Sequence, residues 1–207
     1  ICVLAMVLAL AACGSSAPAA ATEAPAASTE APAEDVSADK TFVVGICQLV
    51  QHPALDAATQ GFKDALTEAL GDKVTFQEQN ASGDSATCSL ICNQFVSDEV
   101  DLIMANATAS IQAAASATNT IPILGTSITD YGVALGVDNW TGVSGTNISG
   151  TSDLAPLDGQ AAMIQELFPD AKTIGLLYCS GEPNSIFQAD SMEALLTDMG
   201  YSVERYT

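Results

Sequence analysis

The sequence predicts an α/β fold built on doubly wound parallel sheets, and three observations carry that prediction. Apolar runs of strand length are continuous instead of alternating, the pattern of strands buried on both faces. Between them, apolar residues recur every three to four positions, the stripe of a helix packed by one side. The two patterns alternate in regular order, as repeated strand–helix–strand crossovers do.

Phe42 to Leu49 (FVVGICQL) is the first continuous run. Leu55, Ala58, Phe62, Leu66 and Leu70 follow at helical spacing, and Gly71 stands where a C-terminal cap belongs, ahead of the strand Val74 to Gln77. Cys88, Ile91, Cys92, Phe95 and Val96 make the next helical stripe, leading into the strand Val100 to Ala105. A small, Ala-rich helix from Ala109 to Thr118 precedes the strand Ile121 to Gly125. Four strands and three crossovers are thus expected in a first lobe, whose ligand site would lie beyond the carboxyl ends of the strands. From Tyr131 to Gly150 the pattern breaks into Gly, Asn, Thr and Ser, and a crossing between two lobes is placed there. A helix with Leu157, Ala161, Ile164 and Phe168 inward, the strand Thr173 to Tyr178, a helix with Ala189, Met192, Leu196 and Met199 inward, and a last strand SVERYT open a second lobe. No helix follows that strand, so the second lobe is expected to be truncated.

The first thirteen residues, ICVLAMVLALAAC, are an apolar run too short to span a bilayer, without an initiator Met or basic region, and read as a clipped export signal. Leu10-Ala11-Ala12-Cys13 resembles the lipobox of bacterial lipoproteins, whose cysteine becomes the lipidated first residue. An ordinary signal peptide that contains a cysteine is the alternative. Residues 14–40 are Ala, Pro, Ser, Thr and Glu with almost no large apolar side chain, which reads as a disordered tether. The expected organisation is signal 1–13, tether 14–40, first lobe 41–148 and incomplete second lobe 149–207.

Composition excludes several functions. Five Lys and Arg against 25 Asp and Glu, a net charge of −20, leave no basic stripe for a phosphate backbone, so nucleic acid is not the partner. A single histidine, His52, and no Cys-x-x-Cys pair leave a structural zinc site short of ligands, and no metal or other cofactor is expected. Gly-x-Ser-x-Gly, Gly-x-x-x-x-Gly-Lys and Gly-x-Gly-x-x-Gly are all absent, which argues against hydrolase and nucleotide enzymes. An unrecognised carboxylate pair of the glycosidase kind is the remaining enzyme reading.

Three segments carry a family resemblance: VGICQLVQHPALDAATQGFKDAL, QNASGDSATCSLICNQFVSDEVDLIMANAT, and NISGTSDLAPLDGQ with YCSGEPNSIFQ. They resemble the substrate-binding lipoproteins of ABC transporters, in the group associated with tryptophan or tyrosine uptake. The resemblance implies a type I periplasmic-binding-protein fold of two α/β lobes closing on a small ligand. It further implies a lipid-anchored, monomeric protein outside the cytoplasmic membrane that delivers its ligand to an ABC permease. A ligand-sensing ectodomain of the same fold is the rival reading. The chain departs from the pattern at Ala109, where proline is common, and at Cys179, where asparagine is expected.

Candidate ligand contacts come from the loops after the strands. Gln48 and His52 follow the first, and His52, before Pro53, also reads as a helix-entry residue. Thr108 can cap a helix or offer its hydroxyl to a ligand at a helix N-terminus, where free backbone N–H groups bind carboxylates. Ser127 and Asp130 follow the fourth strand, with turn formation as the other reading. Asp153 is a helix N-cap or a contact. Glu182, Asn184 and Ser185 lie before the last helix, Asn184 or Ser185 being the expected cap. No Lys or Arg occurs in these loops, so an ammonium could pair with Asp130, Asp153 or Glu182 while a carboxylate would rely on amides and hydroxyls. Tyr131, Trp140 and Phe187 could supply an apolar wall, and a zwitterion with an apolar or aromatic side chain suits that layout. Cys47, Cys88, Cys92 and Cys179 are expected to be free thiols, since Cys88 and Cys92 stand one turn apart on an apolar face.

Overall fold

The computed structural model describes residues 40–207. The expected signal segment, its Cys13 and the tether through residue 39 lie outside the described residues. Strand β1 (Phe42–Gln48) is an interior strand of a five-stranded parallel sheet of order β2-β1-β3-β4-β5, with β2 at Val74–Asn80, β3 at Leu102–Asn106, β4 at Ile123–Ile128 and β5 at Ile148–Ser152.

The two faces of that sheet are read from alternation along β1. Val44 and Ile46 face helix α1 (Pro53–Leu70) and pack, with Val74 and Met104, against Phe62, Leu66 and Leu70. Gly45 and Cys47 face the opposite side, where helices α2 (Ser85–Ser97) and α3 (Thr108–Ala117) lie over Ile103, Ala105 and Ile123. Gly45 is required: a Cβ there would sit 2.6 Å from the Phe95 ring of α2, which lies flat on the strand. Pro53 presets the first turn of α1, and Gly71, at φ 57°, ends it with its N–H bonded to Thr67 O. Asp84 caps α2, its carboxylate accepting from the amides of Ala86 and Thr87.

Several boundaries differ from the expected ones for identifiable reasons. Strand β2 runs on to Asn80, because it is an edge strand paired in register with β1 as far as Gln48–Asn80, and its polar Glu78 and Gln79 can face solvent. The stretch expected as a crossing between lobes instead holds a short helix, α4 (Tyr131–Leu135), and strand β5, a fifth strand of the first sheet. The expected lobe boundary after residue 148 falls inside that strand. A second, two-stranded parallel sheet pairs β6 (Thr173–Leu177) with β7 (Ser202–Tyr206), covered by α5 (Leu157–Leu167) and α6 (Pro183–Asp198) through Ala161, Met192 and Leu196. Phe168 does not join that core: it is the cap residue after α5 and is 62% exposed. Helices α4 and α6 lie side by side.

Candidate functional site

The carboxyl ends of the five strands present, in spatial order, Asn80, Gln48, Asn106, the Ser127–Asp130 turn and Asp153. Beside the first of these a cavity of about 580 Å³ opens between Val50, Gln51, Asp56, Asn80 and Ser82. Ser82 adopts φ 55°, held by its amide donating to Asn80 Oδ1 at 2.8 Å.

Alternation decides the orientation of Gln48. It follows Val44 and Ile46 on the α1 face, so its side chain turns under the helix and only 4% of the residue is exposed. Both its amide groups are occupied: Nε2 donates to Val50 O at 3.0 Å and Asp56 Oδ1 at 2.6 Å, and Oε1 accepts from Thr59 Oγ1 at 2.7 Å. His52 stands exposed at the N-cap of α1, with Nδ1 accepting from the amide of Ala54 at 3.2 Å.

Thr108 opens α3 and is buried, 5% exposed. The residue before it, Ala107, has no side-chain oxygen to cap the helix and is held at φ 89° by its amide bond to Thr126 O. The first amides of α3 therefore face the carboxyl edge of the sheet without a cap. Next to it, Ser127 sits at φ 56° where the β4–β5 register shifts between Gly125 and Ile128, a bulge that turns its half-buried side chain out of the ladder. Asp130 caps α4, Oδ1 accepting from Val133 N at 2.8 Å.

Asp153 does not cap α5. That position is Pro156, with no side-chain bond, and Asp153 is exposed after β5 with its amide bonded to Ile128 O. The expected caps of α6 are also corrected: Glu182 is the N-cap residue, Asn184 Nδ2 donates to Glu182 Oε2 at 3.4 Å, and Ser185 Oγ accepts from the amide of Cys179 at 2.9 Å. Glu182 closes the loop between β6 and α6, and Asn184 and Ser185 lie in the first turn of α6.

Of the aromatic candidates, Tyr131 is a core residue. Its hydroxyl donates to Gly125 O and Thr151 O, and its ring stacks on Trp140 at 6.1 Å along the β5 edge. Burial, with the charge of Asp153 adding to it, pushes the phenol up to about 12. Cys47, Cys88 and Cys92 are free, buried thiols gathered around Ser110 of α3, and Cys179 is free and exposed. The Cys88 thiol draws the Cys47 pKa down, but Cys92 and burial outweigh it and leave Cys47 at about 12, so the Cys47 thiol stays protonated. Cys47 therefore points into the α2–α3 layer.

Sequence reasoning missed Asp56, Thr59 and Asn106, which surround Gln48. The signal was present as parity along β1 and β3 and as the three-residue spacing of Asp56 and Thr59 on one helix face. No helix among the described residues is long and apolar enough to cross a membrane.

Residues 43–207 match the model of the ABC transporter substrate binding protein family. A protein of Clostridioides difficile (strain R20291) named tyrosine-binding protein is 42% identical over 163 residues, 77% of this chain and 47% of that protein, so the chain spans about half the relative's length. A Streptococcus structure described as an ABC domain in complex with L-Trp is 34% identical, with a TM-score of 0.75 over 81% of this chain and 57% of the other. The ligand-free, open structure of a substrate binding protein with adhesive properties from Clostridium difficile is 40% identical, with a TM-score of 0.63 over 80% and 57%.

Proposed function

The chain belongs to the family of ABC transporter substrate binding proteins, and from that premise we propose that it captures a hydrophobic or aromatic L-amino acid outside the cytoplasm and delivers it to an ABC permease. The observation that carries the ligand class is the charge layout of the carboxyl edge. Thr108 and the uncapped first turn of α3 offer a hydroxyl and amide hydrogens to a carboxylate. Asp130 and Asp153 stand nearby for an ammonium, and the five cationic side chains are all elsewhere. The names of a tyrosine-binding relative and of a structure holding L-Trp support the same class. Ser127 and His52 are proposed as further contacts from this sheet, with Glu182, Asn184 and Ser185 contributing from the N-terminal end of α6. The proposed anchor is a lipid on Cys13 of a monomeric receptor, and Cys13→Ser should then release the protein from the membrane fraction.

Isothermal titration with tryptophan, tyrosine, phenylalanine and leucine tests the reading, and at least one should bind. Asp153→Ala or Asn184→Ala should then weaken that binding by about 1–3 kcal/mol, the value of a buried hydrogen bond to a charged group. Heat from a nucleoside or a sugar, with none from any of the four amino acids, would overturn the ligand class.

A further inference from the structure

Asn106 is fully buried at the end of β3, and its Oδ1 is buried without a hydrogen-bond partner. An orphaned buried carbonyl of this kind costs free energy, so the orientation of the amide must be imposed from elsewhere. Its other end shows how. Nδ2 donates to the backbone carbonyl of Leu55 at 2.8 Å and to Thr59 Oγ1 at 3.0 Å, both on α1. A carbonyl can only accept, so a flipped amide would set Asn106 Oδ1 against Leu55 O.

The same logic fixes the next links. Val50 O and the Asp56 carboxylate accept, which makes Nε2 the end of Gln48 that faces them and turns Oε1 toward Thr59. The Thr59 hydroxyl, already accepting from Asn106, must give its one hydrogen to Gln48 Oε1. Hydrogen bonds therefore run in a single direction from Asn106 through Thr59 and Gln48 to Val50 and Asp56. The register pair Gln48–Asn106 holds the two ends side by side, and Thr59 is the one fully buried residue of α1. Val50 and Asp56, where the chain ends, are wall residues of the carboxyl-edge cavity. Asn106, where it starts, directly precedes Ala107 and the uncapped α3.

We propose that Asn106, Thr59 and Gln48 are positioning residues, a one-directional hydrogen-bond chain that fixes the cavity wall at Val50 and Asp56 before a ligand arrives. The effect on affinity rests on the amino-acid-binding reading above; the order of the wall does not. Gln48 then serves the ligand through Val50 and Asp56. A preorganised wall raises affinity by removing the ordering that binding would otherwise require.

Two measurements separate this proposal from the function it serves. In the wild-type chain without ligand, the Gln48 side-chain amide protons should exchange slowly by NMR, and those of Gln51 at the free solvent rate. With L-tyrosine and L-tryptophan as probes well below the melting temperature, Thr59→Val should raise Kd about 3- to 10-fold, the range of one lost hydrogen bond, and Thr59→Ser should restore it. Gln48→Met, which cuts only the bonds beyond Thr59, should raise Kd likewise if Thr59→Val does not fold. If the wild type binds neither amino acid, the proposed ligand is wrong and the exchange measurement still decides the chain. Freely exchanging Gln48 protons, or a lowered melting temperature in Thr59→Val and Gln48→Met with unchanged Kd, would overturn it.

Discussion

Asp101 holds the entry to β1 with one carboxylate. Its Oδ2 accepts from the amide of Val43 at 2.8 Å, its Oδ1 pairs with Lys40 at 2.6 Å, and its own amide donates back to Val43 O. The Lys40 ammonium, followed by the Val43 amide, keeps this carboxyl below the ordinary range. A depressed folded pKa means that the contribution is complete above the unfolded value of about 3.9 and lost as pH falls through the folded one. Asp101→Asn should therefore destabilise by about 0.5–1.5 kcal/mol at pH 7, with the gap narrowing as pH falls through the depressed folded-state pKa. Thermal melts of both proteins from pH 7 to 2.5 check this, and a gap that persists in acid would assign the loss to something other than the charge. At this scale the site was legible only in part. The loops carrying Thr108, Ser127 and Asp130 could be placed, because they follow strands with clear apolar runs. The inward turn of Gln48 was not, since it depends on which face of β1 meets α1, a fact of tertiary packing.

Among the elements, α2 shows how one side chain sets a layer spacing. Phe95 is fully buried and its ring lies on Gly45, so helix and strand approach as closely as an aromatic ring permits. Phe95→Ala should destabilise by about 3–5 kcal/mol. Gly45→Ala should also destabilise, because its methyl must displace the ring and the helix above it. Chemical denaturation of both variants with an unchanged slope is the measurement, and a neutral Gly45→Ala would show that α2 yields easily. The elements that could be read, β1 through β4 with α1 through α3 and then α5, β6, α6 and β7, are those marked by an apolar run, a helical stripe or a bounding cap residue. Strand β5, ISGTS, has one buried residue in five and lies at the sheet edge, and α4 spans only Tyr131–Leu135 under its Asp130 cap. Neither leaves a periodic trace, so a fifth strand looked like an inter-lobe link. Pairing with β4 makes it a strand, and that contact is not local.

For the molecule as a whole, a net charge of −20 on 207 residues means the acidic side chains repel one another when the chain is compact. The ion pairs of Lys40, Lys63 and Arg205 offset little of this, because each is at least partly exposed. Raising salt from ~10 mM to ~0.5 M, which shortens the screening length from about 30 Å to a few Å, should raise the melting temperature by roughly 2–5 °C. Scanning calorimetry at neutral pH reads it, and a fall in melting temperature would mean that the ion pairs outweigh the repulsion. The strand order β2-β1-β3-β4-β5 carries a last consequence, for the order of assembly. A chain emerging N-terminus first offers β1 and then β2, which can pair at once on one side. Each later strand, β3, β4 and β5, then finds its partner already present and adds to the same advancing edge. Assembly of this sheet never has to wait for a strand not yet made: β2 stays as one fixed edge, and the advancing edge on the other side is covered by each next strand until β5 is in place.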